Sequence, residues 1–334
     1  MRGSAIAARA ARSAPAAPIG SLCFGAGLPA PAGDAPPVLG IAARPLPAGS
    51  GTQHLAVTGL SGLCRHGRHG AVDWCHDDEL LFAVCHVDEA AFAAALPGRP
   101  ALRQAAEAAY AGLFDCLAVT GFTQVVRCWN YLPDINRASC GLERYRQFNA
   151  GRQDGFLGRG RSVHAQVPAA CALGTHGGTM LAVGVLAARQ ATVWPVENPR
   201  QVSAYAYPPE YGPCPPTFAR AALLQAGAGE RLYVSGTAAI VGHRSLHAGD
   251  PLAQTRESLV NIRAVCDEAA RIGGGRPFAA EELEYVVYVR DAAMLAAVQR
   301  TVRAAIGAAT PALYVEADIC RADLLVEIEA GGLR

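Results

Sequence analysis

The chain has 334 residues, of which 51% are hydrophobic, so it can bury a large core divided into two or more lobes. Its formal net charge is +1, which excludes a strongly basic surface built for nucleic acid or for an anionic membrane. All 29 basic residues are arginines, which excludes P-loop nucleotide binding, Schiff-base catalysis and pyridoxal phosphate chemistry.

The N-terminal residues 1–20 are rich in alanine and are expected to form a disordered tail. Arg9 and Arg12 interrupt the apolar stretch that a signal peptide needs. The eleven cysteines are odd in number and never spaced as Cys-x-x-Cys, so we expect reduced, mostly buried thiols of a cytoplasmic protein. No apolar run reaches the ~18 residues that would span a bilayer.

Two stretches of the chain predict the same order of elements. In the first, residues 80–87 predict a strand, residues 101–121 an amphipathic helix that ends at Gly121, and residues 122–136 a second strand. The order of predicted elements in this stretch partly repeats that of the C-terminal third, which indicates two related lobes in one chain. Residues 161–230 are expected to form connecting strands and a Pro-rich loop at the lobe junction.

The second stretch begins with a strand at residues 231–242. Asp250 and Pro251 then provide an N-cap and a first helical residue for a helix that ends at a double glycine. A strand at 282–291 and a helix at 292–307 follow, the helix with a buried stripe of leucine, valine and isoleucine. Strands alternating with helices predict an α+β layer with the helices on one sheet face.

The stretch "YVEADICRADLLVEIEA", residues 314–330, predicts a β-hairpin. Its last strand alternates between apolar residues and a face that carries Leu325, Glu327 and Glu329. A carboxylate facing water at a strand edge is the simpler interpretation. A carboxylate turned into a cleft, where an apolar neighbour such as Leu325 raises its pKa, is the alternative. Glu329 is expected to lie nearer the open end and to be dispensable.

Two motifs carry little weight. The segment 155–160, "GFLGRG", resembles a dinucleotide loop but has no strand before it. A glycine-rich loop offers potential zinc ligands at spacings that fit no standard site, namely Cys64, His66, His69, Cys75 and His76. We therefore expect neither a metal nor an organic cofactor.

Arginines and aromatic residues alternate between residues 127 and 159. Such a segment is most often a solvated surface, but it can also build a pocket for a carboxylated ring. Trp129, Tyr131 and Tyr145 are the aromatic members, and the Pro-rich loop repeats the pattern with three tyrosines and Arg220. The arginines of the first segment are Arg127, Arg137, Arg144, Arg146, Arg152 and Arg159.

Four segments of the chain are long and unusual, namely "RCWNYLPDIN", "LERYRQFNAGR", "YVSGTAAIVGH" and "AQTRESLVNIRAVCDEA". They resemble the chorismatases, which split chorismate into pyruvate and a cyclohexadiene diol or a hydroxybenzoate. The C-terminal lobe is also similar to the RidA/YjgF imine deaminases. The resemblance implies an α+β fold of two related RidA/YjgF-like (chorismate-mutase-like) lobes, with helices on one face of mixed β-sheets, in a pseudo-trimeric arrangement. We expect a tail at 1–20, an N-terminal lobe at 21–160, the connection at 161–230 and a C-terminal lobe at 231–334.

The resemblance also implies roles for individual residues. Glu327 matches the general acid that protonates the enolpyruvyl methylene, and Cys320 matches a position where cysteine goes with aromatic products. Arg152, Tyr207 and Arg220 match positions that hold the two substrate carboxylates. Gly236 would let the ring approach the backbone, and Tyr145 is a weaker candidate that could instead only pack the lobe junction.

The implied activity is the conversion of chorismate to pyruvate and 3-hydroxybenzoate, with 4-hydroxybenzoate as a further product. The alternatives are an enamine or imine deaminase and a non-catalytic metabolite-binding module. The resemblance to deaminases implies an arginine near Ala312 and Leu313, and none occurs there. The expected partner is a small molecule rather than nucleic acid or a membrane, with the protein a monomer or a small homo-oligomer.

Overall fold

The computed structural model describes residues 17–25, 35–47, 49–94, 96, 98–226 and 229–334. The first elements form a three-stranded sheet in the order β2-β1-β4, and β3 instead joins a larger sheet. The expected tail lies mostly on residues 1–16, outside the described residues, but residues 18–20 already belong to β1. The bounds are β1 Pro18–Phe24, β2 Val38–Ile41, β3 Arg44–Leu46 and β4 Gln53–Thr58.

The first lobe is a mixed sheet in the order β11-β8-β13-β7-β6-β5, with β12 also paired to β8. Its α-helices pack together on one face of the sheet. The strands are β5 Arg65–His69, β6 Val72–His76, β7 Leu80–Asp88, β8 Gln124–Pro133, β9 Ala138–Ser139, β10 Leu142–Glu143, β11 Ala169–Ala170, β12 Leu173–Thr175 and β13 Met180–Ala188. The helices are α1 Ala101–Thr120, α2 Arg144–Leu157 and a 3-10 turn at Glu89–Phe92.

The second lobe is a seven-stranded mixed sheet in the order β14-β15-β16-β21-β19-β20-β3. The strands are β14 Thr192–Val196, β15 Ala221–Ala226, β16 Gly229–Ala238, β17 Ile240–Val241, β18 Arg244–Ser245, β19 Leu283–Val289, β20 Ala312–Glu316 and β21 Val326–Leu333. The helices are α3 Pro251–Gly273, α4 Leu295–Ile306 and 3-10 turns at Ala204–Ala206, Pro209–Tyr211, Ala280–Glu282 and Ala292–Met294. Again, α3 and α4 cover one face.

The two lobes share one topology. Each begins with three antiparallel strands, continues through a helix to a fourth strand, and adds a parallel strand after a second helix. In each, the last strand inserts between the third and fourth, as β13 does between β7 and β8 and β21 does between β16 and β19. The expected α+β fold of two related lobes is confirmed.

The predicted helix ends are also present. The Asp250 carboxylate accepts hydrogen bonds from the amides of Leu252 and Ala253, which satisfies free donors of the first turn of α3. Gly121 and Gly274 end α1 and α3 in the left-handed conformation, at φ of 79° and 74°. These signals are local, so the sequence alone predicts them.

The lobe boundaries differ from the expected ones. Residues 161–230 are not a separate connection: β11 to β13 complete the first sheet, and β14 and β15 begin the second. The lobes therefore meet between β13 and β14, near residue 190. Insertion of β13 into the middle of its sheet is a long-range pairing that local patterns do not reveal.

Three local predictions need correction. Residues 64–76 are not a glycine-rich loop, because β5 and β6 form an antiparallel hairpin at a sheet edge. Residues 144–157 form α2, although they read as an arginine-rich loop. Residues 314–330 are not a hairpin either: β20 and β21 flank β19 on opposite sides, and the segment between them crosses the end of β19.

The eleven cysteines are all free, and seven of them are buried. Within the described ranges, no helix combines the length and apolarity needed to cross a bilayer.

Strands β9 and β10, and strands β17 and β18, form two separate two-stranded sheets. The three larger sheets meet around one shared core on their helix-free faces. This core joins Leu22 of the small sheet to Phe82 of the first lobe and Tyr288 of the second. The lobes are also joined by polar contacts, because the Tyr131 and Tyr288 hydroxyls lie 2.7 Å apart within this core.

A buried ion pair crosses the same interface. Arg127 Nη2 of β8 lies 2.7 Å from Glu329 Oε2 of β21, and both side chains are almost fully buried. Arg127 Nη1 donates to the carbonyl of Val234, and the Tyr288 hydroxyl donates to Glu329 Oε1. Glu329 is therefore a member of the lobe interface and not, as expected, a residue near the open end.

This pair generates a stability prediction. Glu329→Gln and Arg127→Met should each destabilise the protein by about 3–5 kcal/mol, because either change leaves the other charge buried and unpaired. Urea unfolding monitored by circular dichroism measures the effect. Arg271→Gln breaks an exposed ion pair with Glu268 and should leave the unfolding curve unchanged. If the buried and exposed variants behave alike, Arg127 and Glu329 do not bind the lobes together.

Candidate active site

A cavity of about 320 Å³ opens between the two lobes. Its volume is at the lower end of the range for sites that bind small molecules. The first lobe contributes the start of α2, and the second contributes the Pro-rich loop, β16, β21 and the segment before β21. The lining residues are Glu143, Tyr145, Arg146, Gln201, Tyr207, Tyr211, Pro216, Phe218, Arg220, Gly236, Ala238, Ile240, Cys320, Arg321, Ala322, Asp323 and Glu327.

Glu327 forms part of the cavity wall and is 3% exposed. In β21 it lies between Ala238 of β16 and Tyr288 of β19, on the face opposite Val326 and Ile328. The predicted alternation is therefore present. Leu325 precedes the strand and packs instead with the core under α3 and α4, so it does not supply the apolar neighbour that the sequence predicts.

Burial raises the pKa of Glu327 to about 8. The negative charge of Glu329 raises this pKa further, whereas Arg127 and Arg220 lower it. Desolvation outweighs the two cations because the carboxyl is enclosed and neither arginine forms an ion pair with it. Glu327 is therefore a neutral acid at pH 7, with a proton that it can donate.

Gly236 provides the space for this carboxyl. The register of β16 against β21 shifts between Val234 and Thr237, so that Gly236 lies in a β-bulge. A Cβ at Gly236 would lie 1.9 Å from Glu327 Oε1, which leaves room for no other residue without moving the acid. The sequence predicts that Gly236 lets a substrate ring approach the backbone. The structure shows that this glycine also makes room for the Glu327 carboxyl.

Cys320 lines the cavity from the segment between β20 and β21. Because it is not part of a strand, the alternation of side chains along β21 does not determine its position relative to Glu327. Burial raises the pKa of the Cys320 thiol to about 12, and the charge of Glu327 adds to the rise. Cys320 is accordingly a neutral thiol. It also packs against two hydrophobic cores, so its size shapes the cavity wall.

Tyr207 and Arg220 lie together on the cavity wall contributed by the Pro-rich loop. Arg220 Nη2 donates to the Tyr207 hydroxyl at 2.8 Å and to the carbonyl of Val202 at 2.8 Å. The buried Arg220 Nε has no hydrogen-bond partner. Tyr145 lines the opposite wall from α2.

Arg152 is not among the residues that line the cavity. It is 1% exposed, stacks on Phe148 and donates to Asn149 Oδ1 at 3.0 Å, and its Nε has no hydrogen-bond partner. Burial raises the pKa of the Tyr145 phenol, and the charge of Arg152 partly opposes that rise. Direct contact between Arg152 and a ligand therefore stays a prediction.

Arg321 is a cavity residue that the sequence analysis missed. Its guanidinium lies 4.2 Å from the ring centre of Tyr211 and 5.2 Å from that of Tyr207. The one feature of the sequence that could have indicated a place for Arg321 in the cavity is its position directly after Cys320. Most arginines of the 127–159 segment instead pair with carboxylates, as Arg144 does with Glu89 and Arg146 with Glu143.

The potential zinc ligands lie on and around the hairpin of β5 and β6. Across the part of the chain that the structure describes, no group of three or more histidine, cysteine, aspartate or glutamate side chains could hold a metal ion.

Comparisons with known proteins agree on one family. Residues 59–187 match the family model described as "Chorismatase FkbO/Hyg5-like, N-terminal". The chain is 38% identical over 273 residues to a 3-hydroxybenzoate synthase of Streptomyces hygroscopicus, covering 79% of this chain and 77% of that protein. It is 38% identical over 269 residues to a chorismatase of Streptomyces rapamycinicus, with the same coverage. A crystal structure of a chorismatase superimposes with a TM-score of 0.83 at 31% identity, covering 94% of this chain and 92% of that one.

The raised pKa of Glu327 predicts a pH-dependent stability. The folded protein retains a proton up to about pH 8, whereas an unfolded glutamate releases it near pH 4.5. The stabilisation is therefore fully present below pH 4.5 and is lost as the pH rises through 8. Glu327→Gln cannot titrate, so its stability relative to the parent should increase between pH 5 and about 9. Thermal unfolding across this range measures the difference, and a constant difference would mean that Glu327 titrates normally.

Proposed function

The chain belongs to the chorismatase family, and we propose that it converts chorismate to pyruvate and 3-hydroxybenzoate, with some 4-hydroxybenzoate. One observation carries this proposal: Glu327, a neutral carboxylic acid at pH 7, lines a cavity in which Arg220 and Arg321 form no ion pair with a carboxylate of the described residues. A proton donor beside cationic groups suits an acid-sensitive ether that carries two carboxylates.

The first step is proton transfer from Glu327 to the methylene carbon of the enolpyruvyl group. The carbon–carbon double bond supplies the electron pair, and the ether carbon becomes an oxocarbenium ion. Glu327 is left as a carboxylate beside that cation, which it stabilises in a water-poor site. The tuned pKa suits this role, because general acids work best when their pKa lies near the operating pH.

The second step releases pyruvate. The oxygen of the ring 4-hydroxyl attacks the neighbouring ring carbon C3, which carries the ether oxygen. The bond between C3 and the ether oxygen breaks, and its electron pair completes the keto group of pyruvate. The hydroxyl proton returns to the Glu327 carboxylate, which restores the acid. Opening of the arene-oxide-like species at C4 and loss of the C3 hydrogen then give 3-hydroxybenzoate, so the overall reaction consumes no water.

Cys320 is proposed to favour this route by its shape rather than by acid–base chemistry. A thiol with a pKa of about 12 does not act as a thiolate near neutral pH. Its sulfur occupies a part of the cavity wall that a water molecule could otherwise approach. Water attack on the oxocarbenium carbon would release the non-aromatic diene diol instead.

Arg220 is proposed to bind one substrate carboxylate, with Tyr207 orienting it. The unpartnered Nε of Arg220 and its hydrogen bond to Tyr207 support this role. Tyr145 faces them from the first lobe and would pack against the substrate ring. Arg152 does not line the cavity, so it would act on the substrate through its charge unless its side chain moves.

A deaminase function receives no support from this site. The positions that would carry its arginine, Ala312 and Leu313, line a different cavity beside β4. A non-catalytic binding module is disfavoured because binding alone does not require a carboxyl with a pKa near 8.

Glu327→Gln should lower the rate of pyruvate release from chorismate by about 10²–10⁴, because glutamine has a similar shape but no transferable proton. A coupled pyruvate assay measures the rate. Glu284→Gln, an exposed glutamate on the neighbouring strand β19, is the matched control and should retain the parental rate. Parental turnover by Glu327→Gln would remove this residue from the mechanism.

Cys320→Ala should retain most of the pyruvate release but shift the ring product from hydroxybenzoate toward the diene diol, because the smaller side chain admits water. Cys320→Ser is close in size to the parent and should keep hydroxybenzoate as the main product. Chromatography of the ring products gives the ratio. If Cys320→Ala still makes only hydroxybenzoate, the thiol contributes core packing and not product selection.

A further inference from the structure

Cys320 lies in a segment that is not part of any strand. Residues 317–325 form this crossing segment, which joins β20 to β21 and passes over the end of β19. Among the described residues, its one β-bridge joins Asp318 to Gly174 of the first lobe. Because backbone carbonyls outside a sheet need other donors, the place of Cys320 in the cavity wall depends on the side chains that bind this backbone.

Arg290, the residue directly after β19, binds the crossing segment with its guanidinium group. Its Nε donates to the carbonyl of Leu324 at 2.8 Å. Its Nη2 donates to the carbonyls of Ile319, at 3.2 Å, and Arg321, at 2.9 Å. These last two residues are the neighbours of Cys320 in the chain. One planar group therefore fixes the backbone on both sides of Cys320.

The same guanidinium also connects the crossing segment to the first lobe. Arg290 Nη1 donates to Asn136 Oδ1, which follows β8, at 3.0 Å, and it forms an ion pair with the Asp318 carboxylate. Asp318 and Gly174 exchange two backbone hydrogen bonds, at 2.7 Å and 3.1 Å. Arg290 thus holds the segment against the lobe that supplies the opposite wall of the cavity.

Gln254 of α3 fixes the other end of the crossing segment. Its side-chain amide donates to the carbonyl of Asp323 at 2.9 Å, and its Oε1 accepts from the amide of Leu325 at 2.7 Å. Leu325 leads directly into β21, so Gln254 holds the start of the strand that carries Glu327. Loss of the Arg290 contacts would therefore free the backbone around Cys320 while the general acid stays in place.

We propose that Arg290 is a positioning residue, which fixes Cys320 in the cavity wall and thereby selects the aromatic product. This assignment rests on the proposed function and deepens it. Arg290 is not among the residues that line the cavity, so it acts through the segment that it holds and not by touching the substrate. The thiol of Cys320 keeps water from the oxocarbenium carbon only while the backbone on either side of it is held.

Arg290→Gln should lower the ratio of hydroxybenzoate to diene diol by about tenfold or more, because a shift of less than 1 Å in a cavity wall changes which nucleophile reaches the cation. Pyruvate release should fall by much less than the about 10²-fold that loss of the general acid would cause. Chromatography of the ring products gives the ratio. Since unfolded protein makes no product, a loss of stability alone does not change this ratio.

Arg231→Gln is the matched control. Arg231 is also buried and also binds backbone carbonyls, those of Thr58 at 2.7 Å and Gly59 at 2.5 Å, but it lines a different cavity. This variant should lose stability and keep the parental product ratio. Arg290→Lys restores the charge but not the fork, so its ratio should lie between those of the parent and Arg290→Gln. It also serves as the test variant if Arg290→Gln does not fold.

The double variant Arg290→Gln with Cys320→Ala tests whether Arg290 acts through Cys320. Alanine already admits water, so the second change should not shift the ratio further, and the two effects should not add. An equal shift in both backgrounds would show that Arg290 does not act through the thiol and would overturn the proposal. So would a shift in Arg231→Gln as large as that in Arg290→Gln.

The remaining outcomes separate this assignment from the proposed function. If the parent releases no pyruvate from chorismate, the proposed function fails, and the assignment fails with it. If the parent makes hydroxybenzoate and both Arg290 variants keep its product ratio, the assignment of Arg290 is wrong and the function stands.

Discussion

The buried ion pair between Arg127 and Glu329 is the interaction on which the site depends. It joins strand β8 of one lobe to the inserted strand β21 of the other, in a core where few polar groups are present. Glu327 lies two residues from Glu329 on the same strand face, so the contact that fixes the lobes also fixes the acid. An unpaired charge at either position would be costly to bury. The lobes can therefore pack together favourably only when Arg127 and Glu329 pair with each other.

The same pair influences the chemistry of Glu327 through its charges. Glu329 opposes ionisation of Glu327 while Arg127 favours it, so the two effects partly cancel and enclosure decides the pKa. The Glu327 carboxyl is enclosed because the β-bulge at Gly236 makes room for it, while the rest of β16 pairs with β21 and covers it. The acid is thus neutral because two lobes close over it, and neither lobe alone would produce this environment.

The sequence predicts those features that depend on local chemistry. Asp250 and Gly274 mark the ends of α3 because caps act within one turn, and the alternation along β21 correctly puts Glu327 and Glu329 on one face. The helix α2 was not predicted because it lacks an apolar stripe: it packs on α1 through glycine, and a Cβ at Gly151 would lie 2.1 Å from the carbonyl oxygen of Arg103. The order of β20, β19 and β21 and the position of Arg321 over Tyr211 both depend on long-range pairing that a single sequence does not display. The roles expected for Glu327 and Cys320 come from the family resemblance. The structure explains why both are protonated, because burial raises the pKa of each group.

The central claim is that Glu327 delivers a solvent-exchangeable proton to the methylene carbon of chorismate. The most direct test is the reaction in deuterium oxide, with pyruvate reduced to lactate as it forms so that its methyl group cannot exchange. Mass spectrometry of the lactate methyl group then counts the deuterium atoms. Protonation by Glu327 predicts one deuterium in that methyl group per turnover. A methyl group without deuterium would show that its third hydrogen comes from the substrate, and would contradict the mechanism.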